Sequence, residues 1–542
     1  MSHFIIQKND GGLQLNENTS HTEEIAISED WSLKLIYKNH IHNIKWKGSD
    51  FVCALGYLRR FESPSIDESL NFLLELDKID IGLLKKQITG QYILIIKKDS
   101  DLFILNDFLG ARNIFYNSEN GIITSSFSLA ETLLGTEGDY LNTYKVFEYL
   151  AAREILYPCW LNRDTLNKKI KWLLPYEYLH IDLINSALEV KSSTYYINNY
   201  KENNLDLLSD RLILGLKNNL FIEEFKNANA VCSLTGGRDS RLIATLASLY
   251  YRNLRYRTAI SILSENSRKD FKVARKVARA NRIKIDLYTL NLPDDEKYFR
   301  LFTEEMTPIF NITITPIILN ANKYDIGFGG VYGTELFTPV SNTSRIEYKA
   351  NIIKRISSVI KADRSFIDHL SSSIENQFEE IKHHYNLEII DDKDYIRLFQ
   401  LFLTARYSSF ILSAFNMFGY QFEPFGTFSL VEIALQIDPI YWGNKKSIAG
   451  DALIEKMAME KISPKVARIL AYASRRPVAP LSLSTSHLYF YGYLNHLLNW
   501  IIKKTATPDT KEWHKIMPDL HYLSNGWEAF YINRLKKYAL TF

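Results

Sequence analysis

Hydrophobic and polar positions follow one period before residue 200 and another after it. The first part has short apolar runs separated by charged or glycine-containing turns, as in QYILIIKKDSDLFILND (91–107). Two such runs split by a charged turn predict a β-hairpin. Residues 121–135 predict a strand followed by a helix, and 166–183 and 187–196 predict further strands. This part is therefore predicted to consist mainly of strands.

After about residue 200 the spacing becomes helical in NLDLLSDRLILGLKNNLFIE (204–223). A strand AVCSL (230–234), a helix from about 239, a strand YRTAISIL (256–263), a basic amphipathic helix (267–282) and a strand KIDLYTLNL (284–292) come next. Strands that alternate with helices indicate a parallel α/β sheet. Residues 345–500 are predicted to be mostly helical. The polar stretch NNYKENN (198–204) predicts a boundary between domains at 1–200 and 201–542.

Composition narrows the class of protein. The 542 residues are 46% hydrophobic, and 65 basic and 62 acidic residues leave a net charge of +3. This balance does not favour a nucleic acid or an anionic membrane as partner. No window holds ~18 consecutive apolar residues, and the N-terminus lacks a signal-peptide core, so no membrane span is expected. The three cysteines show no CxxC spacing, which fits a reducing, cytoplasmic compartment.

The strongest local signal is the loop SLTGGRDS (233–240), which joins a strand to a helix. Glycines let the backbone approach an anion, and the N–H groups of a helix start favour negative charge. Asp239 would repel phosphate unless a metal ion lies between them, which indicates Mg²⁺. Walker A and GxGxxG motifs are absent. The alternative is a glycine turn in which Asp239 caps the helix.

The wider pattern resembles asparagine synthetases and the related β-lactam synthetases. SLTGGRDS is similar to the SGGxDS pyrophosphate loop of N-type ATP pyrophosphatases, and GGVYGTELF (329–337) to the family's GEGxDELF loop. Residues 259–290 and 422–439 resemble two further segments in the same order, and 90–117 resemble the glutaminase domain. The resemblance implies an α/β protein with an N-terminal Ntn-type αββα glutaminase-like domain. A C-terminal doubly wound parallel-sheet ATP pyrophosphatase domain with a helical end would follow.

Position by position, the resemblance implies several roles. Asp239 and Glu335 would bind Mg²⁺, and Glu335 stands where the family usually has Asp. Arg406 falls where the family often has an arginine that faces the site. The ATP-binding residues would be Leu234, Thr235, Gly236, Gly237, Asp239 and Ser240 at the phosphates, Ile260 and Ser261 at the adenine, and Gly333 and Thr334 on the opposite side.

The chain departs from the family at its start. Family amidotransferases expose an N-terminal cysteine that attacks glutamine, whereas this sequence has Ser2 followed by His3. A serine can act as an N-terminal nucleophile, but without its supporting geometry it does little. We therefore expect that glutamine hydrolysis is lost.

Tyr332 marks the second departure. It stands where amide-forming members that use ammonia have Glu and where β-lactam synthetases have a tyrosine that helps to deprotonate the nucleophile. A phenol has an ordinary pKa near ~10 and needs a nearby cation to act near neutrality. The alternative is that Tyr332 is only a packed aromatic residue.

The third departure from the family concerns the basic residue that serves as the catalytic cation. Where β-lactam synthetases have lysine, this sequence has ASRRPVAP (473–480), which offers Arg475 or Arg476. Lys445 and Lys446 stand at an earlier position of the family pattern. Arginine can stabilise an oxyanion but exchanges protons poorly. Surface ion pairing is the alternative for each.

Together these features predict an ATP-dependent carbon–nitrogen ligase. It would adenylate a small-molecule or peptide carboxylate, and an amine would attack to give a lactam, macrolactam or other amide, as in lasso-peptide or β-lactam biosynthesis. A peptide substrate would imply a leader-binding or protease partner. The alternatives are an ammonia-dependent amidation of aspartate or a sugar acid, and an inactive nucleotide-binding scaffold.

Overall fold

The computed structural model describes most of the chain up to residue 469. The described residues are 2–8, 21–37, 42–61, 63–135, 142, 144, 145, 148, 160–260, 265–289, 317, 318, 320–338, 343–359, 364–416, 419–438 and 452–469. The positions predicted at Ser261, Lys445, Lys446, Arg475 and Arg476 lie outside them.

Two antiparallel sheets form the described N-terminal part. One has the strand order β10-β8-β9-β1-β3-β2 and the other β12-β11-β7-β6-β5-β4. Apolar residues from both sheets, such as Phe4, Leu33, Phe51 and Ile95, share one buried core, so the sheets pack face to face. The strands are β1 Ser2–Lys8, β2 His21–Ala26, β3 Trp31–Tyr37, β4 His42–Lys47, β5 Asp50–Arg60, β6 Ile88–Lys98, β7 Asp101–Asn106, β8 Phe115–Asn117, β9 Ile122–Thr124, β10 Lys171–Trp172, β11 Glu177–Asp182 and β12 Ala187–Ser192.

Local sequence signals account for these elements. The predicted hairpin is confirmed, because β6 and β7 pair antiparallel from Lys98 and Asp101 across a turn in which Asp99 has φ 51°. The helices are α1 Ile66–Glu75, α2 Ile81–Gln87 and α3 Phe127–Leu134, each with a side-chain N-cap: Ser65, Asp80 and Ser126. A capped N–H group removes one of the unpaired donors that a helix start otherwise leaves.

The described C-terminal part contains a five-stranded parallel sheet in the order β16-β15-β14-β17-β19. The predicted alternation of strands and helices is confirmed, and so is the mixed α/β class. The strands are β14 Ala230–Ser233, β15 Arg255–Ile260, β16 Ile285–Thr289, β17 Ile326–Phe328 and β19 Gln421–Phe422. Because the strands are parallel, the carboxyl ends of β14, β17 and β19 meet at one edge, where ligands bind in open α/β sheets.

Helices flank this sheet. They are α4 Leu205–Leu220, α5 Asp239–Ala247, α6 Glu265–Asn281, α7 Gly333–Phe337, α8 Arg345–Val359, α9 Arg364–His384, α10 Asp392–Asn416, α11 Phe428–Gln436, α12 Leu453–Ile462 and α13 Pro464–Ala467. By length and composition, α10 could cross a membrane, but 83% of its most apolar window is buried inside the fold. A core helix has this pattern.

The two parts of the chain pack closely. Strand β13 (Tyr195–Ile197) pairs in parallel with β18 (Tyr385–Leu387), and Glu202 forms a parallel bridge with Ile437, so the chain on either side of the predicted boundary is held to the helical region. The Phe108 and Phe428 rings meet edge to face with centroids 5.0 Å apart. The Ntn-type arrangement and the division at residue 200 remain predictions.

Candidate active site

The loop after β14 is closed by its own hydroxyl groups. Thr235 Oγ1 lies 2.9 Å from Ser240 Oγ, which also accepts the Thr235 N–H at 3.1 Å. The Gly237 N–H donates to Thr235 Oγ1 at 3.2 Å. These bonds fold the loop over the first turn of α5. Leu234 lies beneath it as a fully buried core residue whose N–H donates to the Arg257 carbonyl at 2.9 Å.

Helix α5 starts without a side-chain cap. Arg238 is its N-cap residue, and no side chain among the described residues caps it, in contrast to α1, α2, α3 and α4. Asp239 is the first helical residue, so the interpretation of Asp239 as the cap is wrong. One carboxylate does approach the loop, because Asp270 accepts the Gly236 N–H. The helix start is thus an environment for anionic oxygen.

The second loop lies directly against the first. Thr334 Oγ1 donates to Asp239 Oδ2 at 2.6 Å. A Cβ on Gly333 would lie 2.7 Å from Asp239 Cβ, and one on Gly330 would lie 2.5 Å from Ser240 N. The structure therefore brings together the two segments that the sequence places about 95 residues apart, and glycine is required where they touch.

Two acids of these loops line the same cavity, Asp239 and Glu335. Burial raises the pKa of Asp239, although Thr334, Arg238 and Glu455 oppose the shift. A hard cation bound by these carboxylate oxygens would offset the cost of burying their negative charge. Among the described residues, no group of three or more His, Cys, Asp or Glu side chains forms a metal site by itself. Asp239 and Glu335 would therefore hold a Mg²⁺ ion only together with further oxygen ligands, which phosphate or water would supply.

The cavity has a volume of about 360 Å³ and lies over the carboxyl ends of β14, β17 and β19. One wall is the loop from Thr235 to Ser240, and another is a face of α10 that combines hydroxyl and apolar side chains. No lysine or arginine is among the described residues that line it. The α10 wall consists of Thr404, Tyr407, Ser408, Ile411, Leu412 and Phe415.

Tyr332 is buried between this cavity and the N-terminal part. Its backbone has φ 78°, a left-handed conformation that is uncommon for an aromatic residue. Its ring packs on Gly426, next to Gln91. Burial and the neighbouring acids raise the pKa of the phenol well above its ordinary value, and the nearby Ser408 hydroxyl opposes this shift. The predicted cation lies outside the described residues.

Gln421 and Glu423, which form the floor of the cavity, were not predicted as site residues. Gln421 Nε2 donates to Glu423 Oε1 at 2.9 Å, and the Val331 N–H donates to Glu423 Oε2 at 2.9 Å. Glu423 is 3% exposed, and burial raises the pKa of its carboxyl to about 7. An acid directly after a strand, in QFEPF (421–425), was the available signal.

The prediction that Arg406 faces the site is wrong. Its guanidinium donates to the carbonyl oxygens of Trp160, at 3.0 Å, and Leu161. Helical spacing explains this, because Tyr407 and Ser408 point into the cavity while Arg406 lies on the opposite face of α10. Ile260 ends β15, which pairs with β14 on the side away from β17, and it does not line the cavity. Its contact with adenine stays a prediction.

Comparison with known proteins gives a distant similarity. No family model matches the chain. The chain is 22% identical over 373 residues to a protein of Methanocaldococcus jannaschii that is provisionally named glutamine-hydrolyzing asparagine synthetase 1. The match covers 63% of this chain and 61% of that relative, so the chain spans about three-fifths of the curated relative. This agrees with the resemblance to asparagine synthetases.

Solved structures give weaker matches. The U34-tRNA thiolase NcsA of Methanococcus maripaludis is 12% identical, covers 54% of this chain and 80% of its own, and has a TM-score of 0.21. Glutamine phosphoribosylpyrophosphate amidotransferase of B. subtilis is 10% identical, covers 61% and 65%, and has a TM-score of 0.19. Scores this low carry no argument.

Proposed function

We propose that the protein is an ATP-dependent amide-forming ligase. The observation that carries this proposal is the uncapped start of α5, with the hydroxyls of Thr235 and Ser240, opening into a cavity that Thr334 and Glu335 close from the other side. Such a site suits a pyrophosphate beside a reacting carboxylate. The distant similarity to an asparagine synthetase supports the same chemistry.

In the proposed reaction, ATP converts a substrate carboxylate to its acyl-adenylate, and the loop retains pyrophosphate. An amine then attacks the acyl carbon, and AMP leaves. Asp239 and Glu335 would hold Mg²⁺, which supplies charge neutralisation at the phosphates. Enclosure by α10 and the second loop would keep water away from the activated acyl group. Arg475, Arg476 or Lys446 would supply the cation for Tyr332.

We propose further that the amine belongs to the substrate, so that the product is a lactam or macrolactam of natural-product biosynthesis. In this proposal glutamine is not the source of ammonia, because Ser2 stands where the family has the nucleophilic cysteine, and Tyr332 replaces the Glu of ammonia-using members. A peptide substrate would bring a leader-binding or protease partner. The second candidate is an ammonia-dependent amidation of aspartate or a sugar acid, and the name of the distant relative, an asparagine synthetase, favours amidation in general.

The test is intact mass spectrometry of candidate substrates with ATP. Loss of one water marks a lactam, whereas gain of ammonia with loss of water marks amidation. Absence of pyrophosphate release with every substrate would contradict the ligase and favour an inactive scaffold.

A further inference from the structure

The wall that α10 gives to the cavity changes from polar to apolar along the helix. Its lining residues recur at intervals of three or four, so they share one face of the helix. Thr404 and Ser408 bring hydroxyl groups to this face, and the following two turns bring Ile411, Leu412 and Phe415. A molecule that lies along α10 therefore meets polar groups at one end and hydrocarbon at the other.

The polar end of this wall lies at the two loops. The Ser408 hydroxyl is near the Tyr332 phenol, and Thr334 of the same loop donates to Asp239 of the first loop. A carboxyl group that is activated beside the first loop would therefore lie at this end. The helix rises about 10 Å from Ser408 to Phe415, so the rest of the acyl group would extend along α10 toward the apolar end.

The apolar end is held by one buried cation that does not line the cavity. Arg257 of β15 donates to Ser233 Oγ at 3.1 Å and to Gln421 Oε1, and Gln421 Nε2 donates to Glu423. The same guanidinium lies 4.9 Å from the centroid of the Phe415 ring, which it helps to position. Ser233 and Gln421 are thus already bonded within the protein, and hydrocarbon is the main surface that this end offers to a ligand.

The remaining lining favours an uncharged ligand body. Ile317, from a separate segment, adds an aliphatic side chain that is buried like Ile411. Among the described residues of the lining, the charged side chains are all acidic: Asp239, Glu335 and Glu423. A second carboxylate on the substrate would be repelled by these groups. The cavity volume of about 360 Å³ suits a small molecule, since such sites span ~300–1,000 Å³ and are mostly apolar.

We propose that the part of the substrate next to its activated carboxyl is an uncharged hydrocarbon group, which packs against Ile317, Ile411 and Phe415. This inference rests on the proposed ligase function and names the substrate class of that site. The carboxyl lies at the loop end of the cavity, and the hydrocarbon fills the opposite end. Ile411 and Phe415 thereby select an apolar acid over aspartate.

The experiment measures ATP–pyrophosphate exchange with unbranched monocarboxylates from acetate to octanoate, and with L-aspartate. The native protein is compared with Ile411→Ala, which enlarges the apolar end of the cavity. The matched control is Ile396→Ala, because Ile396 is a fully buried isoleucine of α10 that does not line the cavity. Both variants lose the same atoms from the same helix, so general destabilisation affects both.

In the native protein we expect kcat/KM to rise about 4-fold for each added methylene, up to an optimal chain length. The best alkanoate should exceed aspartate at least ~10-fold, because aspartate brings charge to the apolar end. Ile411→Ala should move the optimum to acids about two methylenes longer, since its own side chain no longer fills that space. The KM for ATP should stay within ~2-fold of native. Ile396→Ala should keep the native optimum.

Faster exchange with aspartate than with every alkanoate would overturn the inference and leave the ligase in place. A raised KM for ATP in Ile411→Ala at an unchanged chain-length optimum would assign the apolar end to the nucleobase, and the inference would fail as well. An equal shift of the optimum in Ile396→Ala would show general loosening of α10 and count against it. Exchange with none of the carboxylates, aspartate included, would instead overturn the proposed function, and the inference with it.

Discussion

The two walls of the cavity are built in opposite ways. The phosphate-loop wall consists of consecutive residues, Thr235 to Ser240, whose hydroxyls bond each other across one turn. The acceptor wall combines Tyr332, Ser408 and Glu423 from three distant segments, and all three are buried. The first wall presents donors that attract an anion. The second presents a phenol and a carboxyl whose pKa values burial has raised. The residues of the first wall are thus adjacent in the sequence, whereas those of the second wall are brought together only by packing.

Asp239→Asn should have the largest effect, because it removes the carboxylate that joins the two loops and that would bind the metal. We expect carboxylate-dependent pyrophosphate release to fall ~100-fold or more, as for the loss of other preorganised electrostatic groups. The exposed Asp368→Asn, measured in the same assay, should behave like the native protein. A full rate in Asp239→Asn would contradict the assignment of this wall to ATP.

Tyr332→Phe tests the acceptor wall. Because burial and the neighbouring acids keep the phenol protonated, we expect it to act as a hydrogen-bond donor. Loss of one neutral hydrogen bond should lower amide formation about 10-fold. Exchange of pyrophosphate into ATP should stay near native. A loss of ~1,000-fold would instead identify Tyr332 as the proton acceptor.

Arg406→Met tests whether Arg406 acts in the cavity or only stabilises the packing behind α10. The side chain faces away from the cavity, so turnover should change less than ~3-fold. Stability should fall by ~1–3 kcal/mol, because the carbonyls of Trp160 and Leu161 lose their donor. Urea unfolding measures this, with the exposed Arg364→Met as control. A strong loss of turnover at unchanged stability would show instead that Arg406 acts in the active site.

Ser2→Ala should have no effect. Glutamine hydrolysis is expected to be absent from the native protein, so neither glutamate release nor amide formation should change. Glutamate released by the native protein but not by Ser2→Ala would establish an N-terminal nucleophile.

Much of the fold was predictable because local signals repeat along the chain. Alternating apolar runs around Asp99 predicted the β6–β7 hairpin, and the switch to helical spacing at Leu205 predicted α4. The loop from Thr235 to Ser240 was singled out because glycines, hydroxyls and an acid lie within one turn, and its binding of phosphate stays a prediction. Arg406 was misplaced because one residue along a helix turns a side chain by about 100°. Glu423 was missed because its place directly after the short strand in QFEPF is a weak local signal, and its burial depends on contacts with distant segments.

The sequence by itself determined the elements, the parallel sheet and the loop that we propose to bind phosphate, because periodicity and turn chemistry act over a few neighbouring residues. Only the tertiary structure decided that Thr334 bonds Asp239, that α5 lacks a side-chain cap, and that Glu423 lies beside Gly329. Each of these depends on contacts between segments far apart in the chain. The acid–base properties of the cavity depend on the burial that those contacts create.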